Sequence, residues 1–184
     1  TEAQKRAILP RIARGECYFG IGMSEPQAGS DLAAVRTKAT RTGDGWVLSG
    51  RKIWSTGAHL SHYMIVLART SPPDGKNRQV GLSQFLVDLS LPGVHVSGIE
   101  DLGGVPHFNE TLFEDVVLPD DALLGQEGNG WAQCMGELAL ERSGPERFLT
   151  TFVVLEAAMP AIAAYADDRR AAEIGNILAH LRVL

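Results

Sequence analysis

Trp54 and Thr56 stand two positions apart in the run Gly50-Arg51-Lys52-Ile53-Trp54-Ser55-Thr56-Gly57. On an extended segment this spacing turns both side chains to one face. An indole beside a hydroxyl suits a flat redox ring such as a flavin, which takes an aromatic wall and a hydrogen-bond donor at its N5. The plainer reading is a core tryptophan next to a surface threonine. Upstream, Met23-Ser24-Glu25-Pro26-Gln27-Ala28-Gly29-Ser30-Asp31 reads as a strand end turning into a loop of small and hydroxyl residues. Ser24 and Ser30 offer donors, and Gly29 lets a ligand approach the backbone closely. Amides in such a loop can hold carbonyl or phosphate oxygens. Composition alone favours an ordinary turn there.

Other chemistries find less support. Gly20-Ile21-Gly22 supplies two glycines of a dinucleotide fingerprint, but Glu25 stands where the third belongs. Gly125-Gln126-Glu127-Gly128-Asn129-Gly130 lacks the lysine and hydroxyl residue of a P-loop. Backbone freedom at turns accounts better for both sets of glycines. His59 and His62 are spaced for a metal on a helix, yet they fall at a loop–strand junction without a third ligand, so no metal is expected. There is no Gly-x-Ser-x-Gly elbow. Cys17 and Cys134 are isolated, which argues against a disulfide framework or zinc motif and favours a reducing compartment.

These residues need elements to position them. Thr1 and Gln4 have capping-box spacing for a helix reaching Gly15, with a kink expected at Pro10. Short β-like runs follow: Cys17–Met23, Val35–Thr42, Trp46–Ser49, Tyr63–Thr70, Leu82–Asp88, Val94–Ser97 and Glu110–Leu118. Gly43-Asp44-Gly45 reads as a hairpin turn and Ser71–Gly75 as a surface loop. Strands at this spacing predict a closed or nearly closed antiparallel barrel. Beyond Gly125 the spacing turns helical, with a break at Gly144-Pro145 and a long run to about Asp168. The fold class is therefore α+β: an antiparallel β-barrel domain followed by long α-helices of a truncated helical-bundle domain, which lack partners for their apolar faces. The 184 residues are 45% hydrophobic and 21% charged, with a net charge of −5 and no basic run. Nucleic acid and anionic membrane surfaces are thus unlike partners. No stretch approaches the ~20 apolar residues that span a bilayer. The chain starts without methionine and stops inside an amphipathic segment, and it reads as a fragment.

The two motifs together resemble the signature pair of the acyl-CoA dehydrogenases: Met-Ser-Glu-Pro-x-Ala-Gly-Ser-Asp-Leu, then Gly-x-Lys-x-Trp-x-Thr about two dozen residues on. The resemblance continues through Leu9–Glu16, Leu102-Gly103-Gly104, Phe108-Asn109-Glu110 to Pro119, and Leu124 to Trp131, and so covers nearly the whole chain. It implies three parts: residues 1–15 as the end of an N-terminal helical domain, 16–124 as the middle β-barrel domain, and 125–184 as the start of a C-terminal helical domain. It implies FAD as cofactor. Met23 and Ser24 would meet the pyrimidine edge of the flavin, Gly29 and Ser30 the FAD pyrophosphate and the CoA part of the substrate, Trp54 the isoalloxazine face and Thr56 N5. Several family members carry threonine at the Ser24 position, which keeps the hydroxyl.

The implied reaction is α,β-dehydrogenation of an acyl-CoA thioester, in which a carboxylate takes the α-proton and the β-hydride passes to the flavin. A subset of the family places the base in a Leu-x-x-Glu-Arg context, and Leu138-Ala139-Leu140-Glu141-Arg142 matches it at Glu141. Glu137 is a weaker candidate. The competing reading of Glu141 is a Glu–Arg pair on a solvated or interdomain face. The Pro145 break departs from the smoother helix of other members. Partners implied are the acyl-CoA, an electron-transfer flavoprotein as electron acceptor, and further subunits in a homo-oligomer (dimer or tetramer) or hetero-oligomer. The compartment implied is the bacterial cytoplasm, with the mitochondrial matrix as alternative. Alternatives on the same fold are an acyl-CoA oxidase or related flavoenzyme, and a catalytically inactive subunit of a heteromeric enzyme. Because the family completes its FAD site from a neighbouring subunit, the fragment alone is expected to bind FAD weakly.

Overall fold

The structure, a computed structural model, describes residues 1–144, 146–165 and 167–183, without the side chains of residues 146–148, 182 and 183. Helix α1 (Glu2–Ala13) begins at its capping box: the Gln4 amide donates to Thr1 Oγ1 (3.2 Å), and the Thr1 nitrogen donates to Gln4 Oε1 (2.7 Å). It runs through Pro10 as one element and ends where Gly15 takes φ 70°.

Among the described residues eight strands follow: β1 (Phe19–Gly22), β2 (Lys38–Arg41), β3 (Gly45–Thr56), β4 (Tyr63–Arg69), β5 (Leu82–Asp88), β6 (Val94–Ile99), β7 (Phe108–Pro119) and β8 (Leu123–Leu124). They form one sheet in the order β6-β7-β3-β2-β4-β5-β8, with β1 paired to β4. The closed antiparallel barrel expected from the strand spacing is not formed. The path has open ends at β6 and β8, and β1 and β2 pair with β4 in parallel. Parallel pairing arises because the chain reaches β4 from β1 through a long excursion rather than a hairpin. The β2–β3 pair is the hairpin expected at Gly43–Gly45, closed by the Thr42 amide on the Gly45 carbonyl (2.8 Å).

Among the described residues the sheet folds over an apolar cluster. Trp46 and Leu48 of β3 with Phe113, Val116 and Leu118 of β7 meet Met64 and Val66 of β4 and Phe85 and Val87 of β5. The Trp46 and Phe85 rings meet edge-on, with centroids 5.1 Å apart. Each such fully buried side chain contributes about 1.5–3 kcal/mol. Strand β3 is longer than its apolar stretch predicted, because polar residues from Ser49 onward continue the ladder to β7.

Two bulges shape that ladder. The first sits on β7: two steps on β3 (Leu48 to Gly50) oppose three on β7 (Val116 to Phe113), and Asp115 takes φ 49°. The second sits on β3, before Ser55. Gly20 and Gly22 lie within β1, inside the run Cys17–Met23 expected as a strand, rather than at a turn. A Cβ at Gly22 would stand 2.7 Å from Met64 Sδ, so close packing requires the glycine. Gly125 and Gly128, with φ 73° and 82°, are turn glycines as expected.

The chain divides into two compact units, Thr1–Cys134 and Met135–Leu184. The first carries the sheet and the start of α2 (Gly130–Arg142); the second carries the rest of α2, α3 (Glu146–Ala164) and α4 (Asp168–Val183). Pro145, read from the sequence as a helix break, lies outside the described residues. Leu149, Val153 and Val154 on α3 are exposed. Among the described residues no helix is long and apolar enough to cross a membrane. Cys17 and Cys134 are both buried, and neither forms a disulfide among the described residues.

Candidate functional site

The second bulge decides which way the signature side chains point. From Lys52 to Ser55, β3 advances three residues while β7 advances two, from Thr111 to Asn109. The extra residue is absorbed at Ile53–Trp54, and Trp54 takes φ 64°, in the left-handed region. Strict alternation would put Lys52, Trp54 and Thr56 on one face. The bulge instead lets Lys52 and Ser55 turn inward, both buried, while Trp54 and Thr56 stay exposed. A left-handed tryptophan costs about 1–2 kcal/mol. The shared exposed face expected from the two-residue spacing is thus present, built on a bulge rather than a plain strand.

Phe108 completes that face. It is the cross-strand partner of Thr56, and its ring meets the Trp54 indole edge-on with centroids 5.9 Å apart. Directly opposed residues share a face. Indole, phenyl ring and threonine hydroxyl therefore line one surface, and Trp54 is 56% exposed there. The sequence reading did not single out Phe108 for this role; its pairing to Thr56 is a tertiary relationship.

The first motif is stitched to the same bulge. The Ile53 amide donates to the Ser24 carbonyl (2.9 Å), and Ser55 Oγ donates to the Ile21 carbonyl (3.0 Å). Lys52 Nζ donates to the Met23 carbonyl (3.1 Å) and to Glu25 Oε1 (2.9 Å). Glu25 also accepts from the Arg36 amide (2.7 Å), the Thr37 amide (2.9 Å) and Gln27 Nε2 (2.6 Å). Lys52 is fully buried and Glu25 nearly so. Burial pushes the Glu25 carboxyl up, but the Lys52 charge and the hydrogen bonds together outweigh it and hold it below the ordinary glutamate range. Burial pulls the Lys52 ammonium down to about 8 against the opposing pull of Glu25. Sequence reasoning gave neither residue a role, although a charge of each sign inside two neighbouring strand motifs was the available signal.

Met23 is buried and Ser24 half-buried at this junction. Gly29 and Ser30 follow on an exposed loop, and a Cβ at Gly29 would meet no atom within 4 Å, so its backbone faces open space. Arg69 anchors that loop by donating to the Ala33 (2.9 Å) and Val35 (3.2 Å) carbonyls. The same guanidinium holds the Val80 carbonyl (2.9 Å), tying in the segment after Ser71. Arg78 pairs with Asp31 across the two loops at 2.7 Å. The structure thus brings Met23, Ser24, Trp54 and Thr56 together, with Gly29 and Ser30 on the adjoining loop. Glu141 lies exposed on α2 in the second unit, and Glu137, one turn earlier, is half-buried.

His59 and His62 are exposed surface residues. His62 Nδ1 accepts the Tyr18 amide (3.3 Å), and His59 Nδ1 lies 3.0 Å from Asn109 Oδ1. With Arg11, Tyr63 and Asp88 they line an open cavity of about 500 Å³.

Residues 20–116, more than half of the chain, match the family described as acyl-CoA dehydrogenase, middle domain. The chain is 44% identical over 142 residues to acyl-CoA dehydrogenase IpdE1 of Mycobacterium tuberculosis, an overlap covering 77% of this chain and 36% of that protein. Its structure is similar to the ChsE4–ChsE5 complex from Mycobacterium tuberculosis, with a TM-score of 0.69 and 37% identity over 76% of this chain and 35% of that one. It is also similar to the Tcur3481–Tcur3483 steroid ACAD, with a TM-score of 0.77 and 29% identity over 100% of this chain and 48% of that one. The chain spans 36% of the length of the curated relative IpdE1.

Proposed function

The chain belongs to the acyl-CoA dehydrogenase family, and on that premise we propose that it supplies the flavin-facing part of an enzyme that dehydrogenates an acyl-CoA thioester between its α and β carbons. The observation that carries this reading is the exposed face formed by Trp54, Phe108 and Thr56 beside the Met23–Ser24 strand end. The residues fit FAD. The indole offers an apolar wall, Thr56 and Ser24 offer hydroxyls, and the backbone at Gly29 is open to a bulky ligand. FAD, when bound, supplies the hydride acceptor.

The chain's own residues do the rest. Trp54 would pack on the ring and exclude water from one face. Thr56 would donate its hydroxyl toward N5, and Ser24 with the Met23–Ser24 backbone would hold the pyrimidine edge. Gly29 and Ser30 would receive the FAD pyrophosphate and the CoA portion of the substrate. Glu141 accepts the α-proton. A positioned general base contributes ~10²–10⁴-fold to such a step, and bound substrate would raise a carboxylate toward the working pH by desolvation.

Electron-transfer flavoprotein is the proposed acceptor and further subunits are proposed partners. The similarity to ChsE4–ChsE5, a complex of two proteins, supports an assembly with more than one kind of chain. The proposed compartment is the bacterial cytoplasm. Retention of Trp54, Thr56 and Glu141 speaks against a catalytically inactive subunit. The test is the visible spectrum of the full-length protein during addition of straight-chain to steroid acyl-CoAs. Substrate should bleach the flavin, and Glu141→Gln should keep binding and abolish bleaching. Bleaching unchanged in Glu141→Gln would remove Glu141 from the mechanism.

A further inference from the structure

We propose that Lys52 and Glu25 are positioning residues of the flavin site, a buried ionic clamp that holds the Met23–Ser24 strand end against the Trp54 bulge. The inference rests on the reading that the Trp54–Thr56 face receives a flavin. Neither residue reaches that face: Lys52 is 0% and Glu25 3% exposed. Their partners are the segments that form it. Lys52 Nζ holds the Met23 carbonyl, and the next residue along, Ile53, holds the Ser24 carbonyl. Glu25 in turn gathers Lys52, the Gln27 side chain and the amides of Arg36 and Thr37, which fixes the loop carrying Gly29 and Ser30.

Stability alone does not explain such a pair. A buried ion pair is often replaceable by apolar residues at no loss of stability. A methionine or leucine at residue 52, however, could not donate to the Met23 carbonyl and to the loop carboxylate at once. The packing around Lys52 is built to admit it. A Cβ at Gly22 would stand 3.3 Å from Lys52 Cγ, so glycine there leaves room for the lysine stem beneath β1. Other ion pairs of this unit, Arg41–Asp120 and Arg78–Asp31, lie on the surface, where water screens them. The clamp also sits against the left-handed Trp54, a conformation that persists only where its surroundings over-determine it.

The experiment compares full-length wild type with the double variant Glu25→Gln/Lys52→Met, which removes both charges together. Three quantities are read: the melting temperature of the apoprotein, the FAD dissociation constant, and the visible spectrum at saturating FAD. The expected result is a melting temperature near wild type, FAD binding weakened about tenfold or more, the scale of one charge-assisted hydrogen bond, and a shifted flavin band. The band at saturation is the deciding readout, because a purely structural role would lower stability or occupancy without altering the environment of the flavin that does bind. Glu25→Asp keeps both charges and shortens the reach, and covers the case in which the double variant fails to fold; it should shift the band too. Wild-type affinity and an unshifted band in the folded variants would overturn the positioning role while leaving the functional reading intact. A wild-type protein that takes up no FAD would overturn the functional reading, and the positioning role with it.

Discussion

The indole of Trp54 meets the ring of Phe108 edge-on at 5.9 Å, and Phe108 faces Thr56 directly across the β3–β7 ladder. One contact thus joins the aromatic wall and the hydroxyl that the sequence placed two residues apart. The contact exists only because β3 bulges at Ile53–Trp54 and rotates the indole away from Lys52.

Trp54→Gly separates binding from folding. The glycine relieves the left-handed backbone, a gain of about 1 kcal/mol, and forfeits an aromatic pair of about 0.5–1.5 kcal/mol. Urea unfolding of the variant should therefore give a stability close to wild type, while FAD titration shows weakened binding. A large loss of stability would mean that the indole serves the core instead.

Lys52→Met alone should cost more than the double variant. It strands the Glu25 carboxylate in the interior, a defect of about 3–5 kcal/mol, whereas removing both charges is near neutral. Chemical denaturation of the two apoproteins checks the order, and equal losses would contradict a coupled pair.

The same pair sets a pH profile. Glu25 titrates below its ordinary value in the folded protein, so its contribution is present above about 4.5 and is lost as pH falls through the lowered value. Lys52 is also depressed, to about 8 from 10.5. Between those values the unfolded chain binds a proton that the folded one lacks, so this group's contribution rises with pH across that window. Unfolding free energies from pH 3 to 10.5, wild type minus the double variant, should fall at the acid end and climb above about 8.

In the core, Phe85→Ala removes the ring packed edge-on against Trp46 at full burial. A loss of about 3–5 kcal/mol is expected by equilibrium unfolding. A loss below 1 kcal/mol would contradict the cluster described for the folded sheet.

Much of the local structure was legible. The Thr1–Gln4 cap, the Gly43–Gly45 hairpin and strand Leu82–Asp88 follow from short-range patterns and appear as expected. What the sequence concealed was non-local. Closure of the sheet depends on whether β6 and β8 meet, which strand spacing does not encode. The full length of β3 was hidden because Ser49 to Ser55 is polar and interrupted by Gly50, although the segment continues the ladder to β7. The bulge at Trp54 changes one residue's φ and leaves no compositional mark. The Lys52–Glu25 pair joins residues far apart in sequence, each of which looks alone like a charged loop neighbour. Both signature motifs were readable as motifs, whereas the bonds that lock them together required the fold.

The central claim is that the outward Trp54–Phe108–Thr56 face receives the flavin ring. A crystal structure of the full-length protein with FAD tests it most directly. The account predicts the ring system stacked beside Trp54, with Thr56 Oγ1 within hydrogen-bond reach, about 3 Å, of N5. A flavin bound elsewhere, or this face covered by protein alone, would contradict it.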